Sequence, residues 1–435
     1  MLLRFKVKNF LSFYEETVFD MFPNIKRVNF SHHIYTEMNV PLLKQAVIYG
    51  ANGSGKSNFI KAIDFLCSFV IYEDFIKKID LDDYFFQLAK EKLQNISFEI
   101  EFFHKDEYYI YNADISKKEI REKLSKSNLG KTEDSLIFER RGTDITAPST
   151  QNKTTVKQLL SRSSDSSLLS LNHRFPVLSS KGANHIYDWF SKKIEVISIG
   201  SAIPALINVM SQKPEMLSFA NKVFENIGIG IKAVGISDTP FEKWIAKSKN
   251  ATELQDIIDE NSSASNGNIS QIKNNRNVLN IAVQKGTKTV QEFLFDQLGQ
   301  SGYHRQMKIT AQSDGTVRLL FLIPALYAAI HQGKTVFIDE IDNSIHPNLM
   351  FELLRFYANT KSTGQLIFTT HTTKFLNQQE LLRPDEIWFT EKLDGNTRMY
   401  SLNDFKLHNT LNIENGYLDG RYGGAPVMDE IIPEI

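Results

Sequence analysis

Apolar and polar residues alternate from the start of the chain. Leu3, Phe5, Val7 and Phe10 mark one face, and Arg4, Lys6 and Lys8 interrupt it. That period of two is strand spacing. Gln45 to Tyr49 reads as a second strand, running into Gly50. From Ser57 to Tyr72 the spacing changes: Phe59, Ile60, Ile63, Leu66, Cys67 and Val70 recur at helical intervals. Ile96 to Phe103 and Tyr108 to Ile115 alternate again, as a strand pair with Lys105-Asp106-Glu107 near its turn.

The middle of the chain is less regular. Arg141 to Thr155 and Ser161 to Ser167 are polar and are expected to be loops, whereas Ile186 to Ile199 has structured character. Phe241 to Asp259 has the pattern of an amphipathic helix, and Glu260 to Asn277 is polar enough to be expected flexible. After Ser313 the pattern sharpens. A helix is expected over Thr316 to His331, a buried strand over Thr335 to Ile338, a helix over Asn348 to Asn359 and a buried strand over Gln365 to Phe368. Glu386 to Phe389 and Met399 to Leu402 read as later strands around Asp394-Gly395-Asn396. Strands alternating with helices predict an α/β core. No internal repeat and no sustained heptads appear, so no long coiled coil is expected.

Composition narrows the class. With 435 residues, 42% of them hydrophobic, the chain can bury a substantial core in two or three domains. Its net charge of −1 does not indicate direct DNA binding, although local basic patches leave that open. The lone Cys67 can form no internal disulfide and no zinc cluster, which fits a reducing cytosol. The first ten residues lack the segregated pattern of a leader, and no run of about 18 apolar residues occurs. A cytoplasmic protein without a membrane span is therefore expected.

Candidate chemistry begins where the second strand ends. Gly50-Ala51-Asn52-Gly53-Ser54-Gly55-Lys56-Ser57 matches GxxxxGK[ST] between a strand and a helix, the context a P-loop requires. Its glycines let backbone N–H groups curl around phosphates at the positive end of the helix. Lys56 is expected to reach the β- and γ-phosphates of ATP, and Ser57 to ligate Mg²⁺. Thr335 to Glu340 reads as a Walker B strand. Carboxylates at a buried strand end are costly unless they bind something. Asp339 is expected in the Mg²⁺ shell, with Glu340 as general base toward the attacking water. Ser313 or Asp314 suits a helix N-cap, and Ser313 and Gly315 also suit a phosphate at that helix N-terminus. Gln87, between the P-loop and the Ile96 strand, is a candidate Q-loop glutamine toward the metal.

Several segments together carry a family resemblance: KNFLSF (Lys8 to Phe13), GANGSGKSN (Gly50 to Asn58), SFEIEFF (Ser97 to Phe103), QSDGT (Gln312 to Thr316), FIDEIDNSIHP (Phe337 to Pro347), IFTTHT (Ile367 to Thr372), EIWFTEK (Glu386 to Lys392) and GRYGGAP (Gly420 to Pro426). More than 250 residues separate Lys56 from Asp339, and the QSDGT helix directly precedes Walker B. The chain resembles the ABC-type ATPase heads of SMC, RecF and OLD proteins. Within that class it is similar to stand-alone prokaryotic "AAA family, ATP-binding" proteins related to RloA, AbiLi, PtuA and AriA, many linked to phage defence.

The resemblance implies an ABC-type α/β head with an N-terminal antiparallel β-subdomain and a central α/β insertion. Residues 1–115 would hold the P-loop and β-subdomain, 116–300 the insertion and 301–435 the C-terminal lobe. It makes His371 a switch histidine on the γ-phosphate, Ser313 and Gly315 an ABC signature acting on a second subunit's nucleotide, and Asp342 a D-loop contact with that subunit. Asn52, Gly53, Ser54, Gly55 and Asn58 join the ATP-binding set. It further implies a homodimer or higher homo-oligomer around ATP, acting as sensor or scaffold in antiviral defence, with a phage-encoded trigger left open. The chain runs only about 60 residues past His371 and has no acidic cluster for a TOPRIM nuclease. A TOPRIM-like or HNH effector is thus expected on another polypeptide. Two alternatives stay open: a RecF-like DNA-repair ATPase, for which Lys117 to Lys126 offers some basis, and an ATP-locked interaction protein without turnover, which Glu340 disfavours.

Overall fold

A computed structural model describes residues 1–36, 39–150, 153–178, 181–198, 206–246, 267–274, 277–284, 287–376, 381–406 and 412–425. The chain divides into two units. One comprises Met1–Ile199, Ala328–Asp342 and Phe351–Ile435, and the other Gly200–Tyr327 and Asn343–Met350.

Among the described residues the first unit contains two large sheets and a two-stranded one, Ile34–Tyr35 with Leu42–Leu43. Its antiparallel sheet runs Asp144–Thr146, Ser135–Arg141, Ile120–Ser127, Glu107–Ile115, Ile96–His104, Leu2–Lys8, Thr17–Asp20. The alternation at the N-terminus is the cause: Leu3, Phe5 and Val7 are buried between half-buried Arg4 and Lys6. The sheet continues beyond residue 115 because Ile120, Glu122 and Leu124 also face inward. Glu122 is buried there against Arg140 at 3.2 Å, and it accepts hydrogen bonds from the Tyr111 and Ser167 hydroxyls. Such a pair is tolerated inside only because its remaining polar atoms are largely engaged.

The second sheet is the α/β core. Its order is Ile194–Ile197, Thr335–Ile338, Gln365–Thr369, Gln45–Gly50, Ile387–Leu393, Asn396–Ser401. The first five strands are parallel and nearly all buried, as their continuous apolar runs require, and the last is antiparallel. It returns through Asp394 and Gly395, both at positive φ, the geometry of a tight hairpin turn.

Helix Lys56–Ile71 fills the space against the antiparallel sheet. Phe59 meets Phe5 and Phe19 edge-on at 5.8 and 5.1 Å, and Phe65 packs on Phe10 and Phe98 at 5.3 and 5.7 Å. Each buried phenylalanine contributes roughly 1.5–3 kcal/mol. Gln365 joins the two sheets. Its side chain accepts from the Leu2 N–H at 2.6 Å and donates to the Leu2 and Leu43 carbonyls at 3.0 and 3.2 Å.

Two stretches expected to be loops contain structure. Asp144–Thr146 is a strand and Lys153–Arg162 a helix, whose buried residues are Val156 and Leu160 alone. Two apolar positions one turn apart are too few to declare a helix in a polar sequence.

The second unit holds helices Leu206–Gln212 and Pro214–Ile227 and an antiparallel sheet. Thr287–Leu298 pairs with Ile231–Pro240 on one side and with Asn277–Gln284, then His304–Lys308, on the other. Gly267–Asn274 pairs with Asn277–Gln284 as a further strand inside the stretch expected to be flexible; residues 260–266, 275 and 276 lie outside the described residues. Of the helix expected from Phe241 to Asp259, Phe241–Ile245 is helical and 247–259 lie outside the described residues.

Candidate nucleotide site

The P-loop strand Gln45–Gly50 sits in the middle of the parallel sheet, so its loop emerges at the carboxyl ends of its neighbours. Backbone geometry there needs glycine. Gly53 has φ 75° and Gly55 φ 111°, and Gly55 caps helix Lys56–Ile71. A Cβ on Gly55 would lie 2.3 Å from Thr397 Oγ1. The loop is held from the sheet side by hydroxyls. Thr390 Oγ1 is 2.7 Å from Ser54 Oγ, and Thr397 Oγ1 donates to the Ser54 carbonyl at 2.9 Å. Asn58 donates to Ser12 Oγ at 2.9 Å, which lies 2.7 Å from Thr397 Oγ1. Asn52 and Gly53 remain exposed, and Ser57 is half-buried at the first turn.

Lys56 is 5% exposed and donates to the Gly50 and Ala51 carbonyls at 2.7 and 3.1 Å. Burial depresses its ammonium below the ordinary lysine value, while Asp339, Glu340 and Asp342 push the other way. The Walker B carboxylates and the P-loop lysine therefore share one electrostatic environment. Thr369, at the end of the next strand, arranges that side. Its hydroxyl donates to Asp339 Oδ1 at 2.7 Å and accepts from the Glu340 N–H at 2.7 Å. Glu340 has φ 47°, an uncommon left-handed conformation for a non-glycine residue. His371 Nε2 lies 3.7 Å from Glu340 Oε1. The Thr372 hydroxyl donates to Asp342, and Tyr49 Oη donates to the Thr372 carbonyl at 3.1 Å.

This half of the site, with Gly50 to Asn58, Asp339, Glu340, Asp342 and His371, lies in the first unit. Its donors suit a nucleotide triphosphate: a glycine loop of N–H groups, a buried lysine and a helix N-terminus. Among the described residues no cluster of three or more His, Cys, Asp or Glu side chains could hold a metal ion. Mg²⁺ takes one or two carboxylates and completes its shell with water and substrate phosphates. Ser57 and Asp339 are the residues that would hold it.

Ser313 and Gly315 belong to the second unit. Ser313 Oγ accepts from the Thr316 N–H at 3.2 Å, an N-cap bond at the start of helix Asp314–His331, and Ser313 and Asp314 are exposed. A Cβ on Gly315 would stand 2.8 Å from the Ser344 carbonyl oxygen in the turn after Walker B. Gln87 is exposed, and its amide donates to the Asp82 and Phe85 carbonyls of its own loop at 2.6 and 3.2 Å. In the basic stretch, Lys117 pairs with Asp82, Arg121 with Glu119 and Lys126 with Glu107.

Residues 46–377 match the family described as "AAA domain, putative AbiEii toxin, Type IV TA system". The chain belongs to this AAA-domain family. The match spans the P-loop, the Walker B pair and His371. No curated protein matches. Among solved structures, this AAA-domain chain is similar to the SMC head domain from Thermotoga maritima, at 13% identity and a TM-score of 0.43, covering 93% of this chain and 99% of that one. It is also similar to an SMC head bound to the C-winged helix domain of ScpA, at 14% and 0.42, covering 92% and 97%. A third is an SMC head with an extended coiled coil bound to the C-terminal domain of ScpA derived from Pyrococcus furiosus, at 13% and 0.40, covering 97% and 98%. Among the described residues no helix is long and apolar enough to cross a membrane.

Sequence patterns pointed to the lysine, the acids and the histidine, but not to Ser12, Thr369, Thr390 and Thr397. Hydroxyl side chains carry no periodic or motif signal. The hint for three of them was their position in LSF, FTT and WFT of the recognised segments, and for Thr397 its place just after Asp394-Gly395-Asn396.

Proposed function

We propose that this AAA-domain chain binds ATP with Mg²⁺, hydrolyses it between two copies of itself, and uses that cycle to control an effector in prokaryotic antiviral defence. One observation carries the reading. The buried Lys56 of the glycine loop lies within electrostatic reach of Asp339 and Glu340, whose carboxylate and backbone, respectively, are fixed by Thr369.

In the proposed site, Gly50 to Ser57 wrap the phosphates, and Lys56 exchanges its two carbonyl partners for phosphate oxygens. Ser57 and Asp339 would hold Mg²⁺, which when bound would supply positive charge against the phosphates. Glu340 takes the proton of the attacking water. His371, 3.7 Å from Glu340, keeps that carboxylate oriented and donates toward the γ-phosphate. Ser313 and Gly315 of a second copy close the site, and Asp342 lies at that junction. Gln87 would need to leave its own loop to reach the metal.

The family's description as an AAA domain of the AbiEii type in a type IV TA system supports a role in restraining or releasing a toxic activity. It is compatible with the proposed relation to RloA, AbiLi, PtuA and AriA and with a separate nuclease effector. The carboxylate partners of Lys117, Arg121 and Lys126 remove the main support for a RecF-like DNA contact there. Phosphate release from Mg-ATP tests the enzymatic claim. Wild-type protein is expected to turn over, while Lys56→Ala and Glu340→Gln do not. Wild-type release equal to the Lys56→Ala background contradicts it.

A further inference from the structure

The segment after Asn412 includes the GRYGG turn, which none of the ATP-site roles above uses. It packs against both sides of the nucleotide site. Helix Ile413–Leu418 places Glu414 so that its Oε1 accepts from the Thr373 hydroxyl at 2.9 Å, two residues after His371. One turn on, Tyr417 is 4% exposed; it stacks on Phe389 at 5.4 Å and 15° and packs on Tyr49 at 5.8 Å. Tyr49 is the residue whose hydroxyl holds the Thr372 carbonyl.

The turn then folds back over the strand beside the P-loop. Tyr422 stacks on Phe389 at 6.0 Å, and its carbonyl accepts from Tyr400 Oη at 2.7 Å. Gly423 and Gly424 have φ 66° and 67°. A Cβ on Gly424 would sit 3.1 Å from the Thr390 carbonyl oxygen, so the backbone passes directly across Thr390. Thr390 is the register partner of Gly50 and touches Ser54. One short segment thus contacts the loop after His371 at one end and the support of the P-loop at the other.

We infer that Glu414 is a positioning residue for ATP hydrolysis, holding the His371 loop through Thr373, with the GRYGG turn as its brace on the P-loop strand. The inference rests on the proposed ATPase reading. Without the carboxylate, the Thr372-Thr373 loop keeps its Asp342 and Tyr49 bonds but loses its third anchor, so His371 is held less closely beside Glu340. ATP binding through the P-loop is untouched, because Glu414 bonds only the histidine side.

Steady-state turnover of the full chain tests this. Glu414→Ala is expected to lower kcat about 10- to 100-fold, the span that a hydrogen bond to a charged group represents, with KM unchanged and the fold retained. Glu414→Gln, which keeps the acceptor oxygen, is expected to restore most of kcat. Thr373→Val should reproduce the loss, and the Glu414→Ala/Thr373→Val double variant should add no further loss. Wild-type turnover with an unaltered kcat in Glu414→Ala overturns the inference alone. A fall shared by Glu414→Gln, or a loss that adds in the double variant, also overturns it. No wild-type turnover above Lys56→Ala overturns the ATPase reading, and the inference with it.

Discussion

Thr369 has one hydroxyl and serves two neighbours. It donates to Asp339 Oδ1 and accepts from the Glu340 N–H, so a single rotamer fixes both the proposed metal carboxylate and the backbone of the proposed base. Glu340 lies in a left-handed conformation that costs energy for a residue with a Cβ, and that N–H bond offsets part of the cost. Thr369→Val keeps the shape and removes both bonds. Turnover is expected to fall by about 10- to 100-fold, from the loss of roughly 1.5–3 kcal/mol of charge-assisted hydrogen bonding. Thr369→Ser should retain most of it. A Thr369→Val protein with full turnover would show that Asp339 and Glu340 orient themselves. The Lys56 pattern is the complement: burial disfavours its charge while Asp339, Glu340 and Asp342 favour it, and under the proposed reading phosphate oxygens replace its two carbonyl partners.

At the scale of elements, the P-loop depends on a hairpin that is remote in sequence. Gly55 is confined by its φ of 111° and by Thr397, so Gly55→Ala meets both backbone strain and a contact at 2.3 Å. A destabilisation of about 1–3 kcal/mol is expected, read as a lower denaturation midpoint, together with loss of ATP binding. An unchanged midpoint would mean that the loop relaxes away from Thr397. The glycine, the lysine and the strand and helix around them were legible, because backbone curvature, phosphate charge and amphipathic periodicity each leave a local signature. The strand Gln45–Gly50 and the Walker B strand were legible as buried apolar runs. The bracing of the loop by Ser12, Thr390 and Thr397 was not, because these contacts join positions far apart in sequence, 46 residues for Ser12 with Asn58 and more than 300 for Thr390 and Thr397 with Ser54. The helix Lys153–Arg162 escaped for a different reason: it buries only Val156 and Leu160, leaving no stripe. The strand Gly267–Asn274 escaped because its polar sequence reads as linker and only pairing with Asn277–Gln284 defines it.

At the scale of the molecule, the chain distributes the proposed chemistry over its two units. The P-loop, Walker B pair and His371 belong to one, and Ser313 and Gly315 to the other. Under the proposed reading a complete site needs two copies, each contributing both halves, which is the self-complementary contact expected of a twofold dimer. ATP then acts as a clamp on assembly, and the effector senses the clamped state. The direct measurement is the mass of Glu340→Gln protein by light scattering with and without Mg-ATP, beside a Glu340→Gln/Ser313→Arg variant that blocks the signature. The account predicts that Mg-ATP raises the mass of the first and leaves the second unchanged. A Glu340→Gln protein that binds Mg-ATP and remains at monomer mass contradicts it.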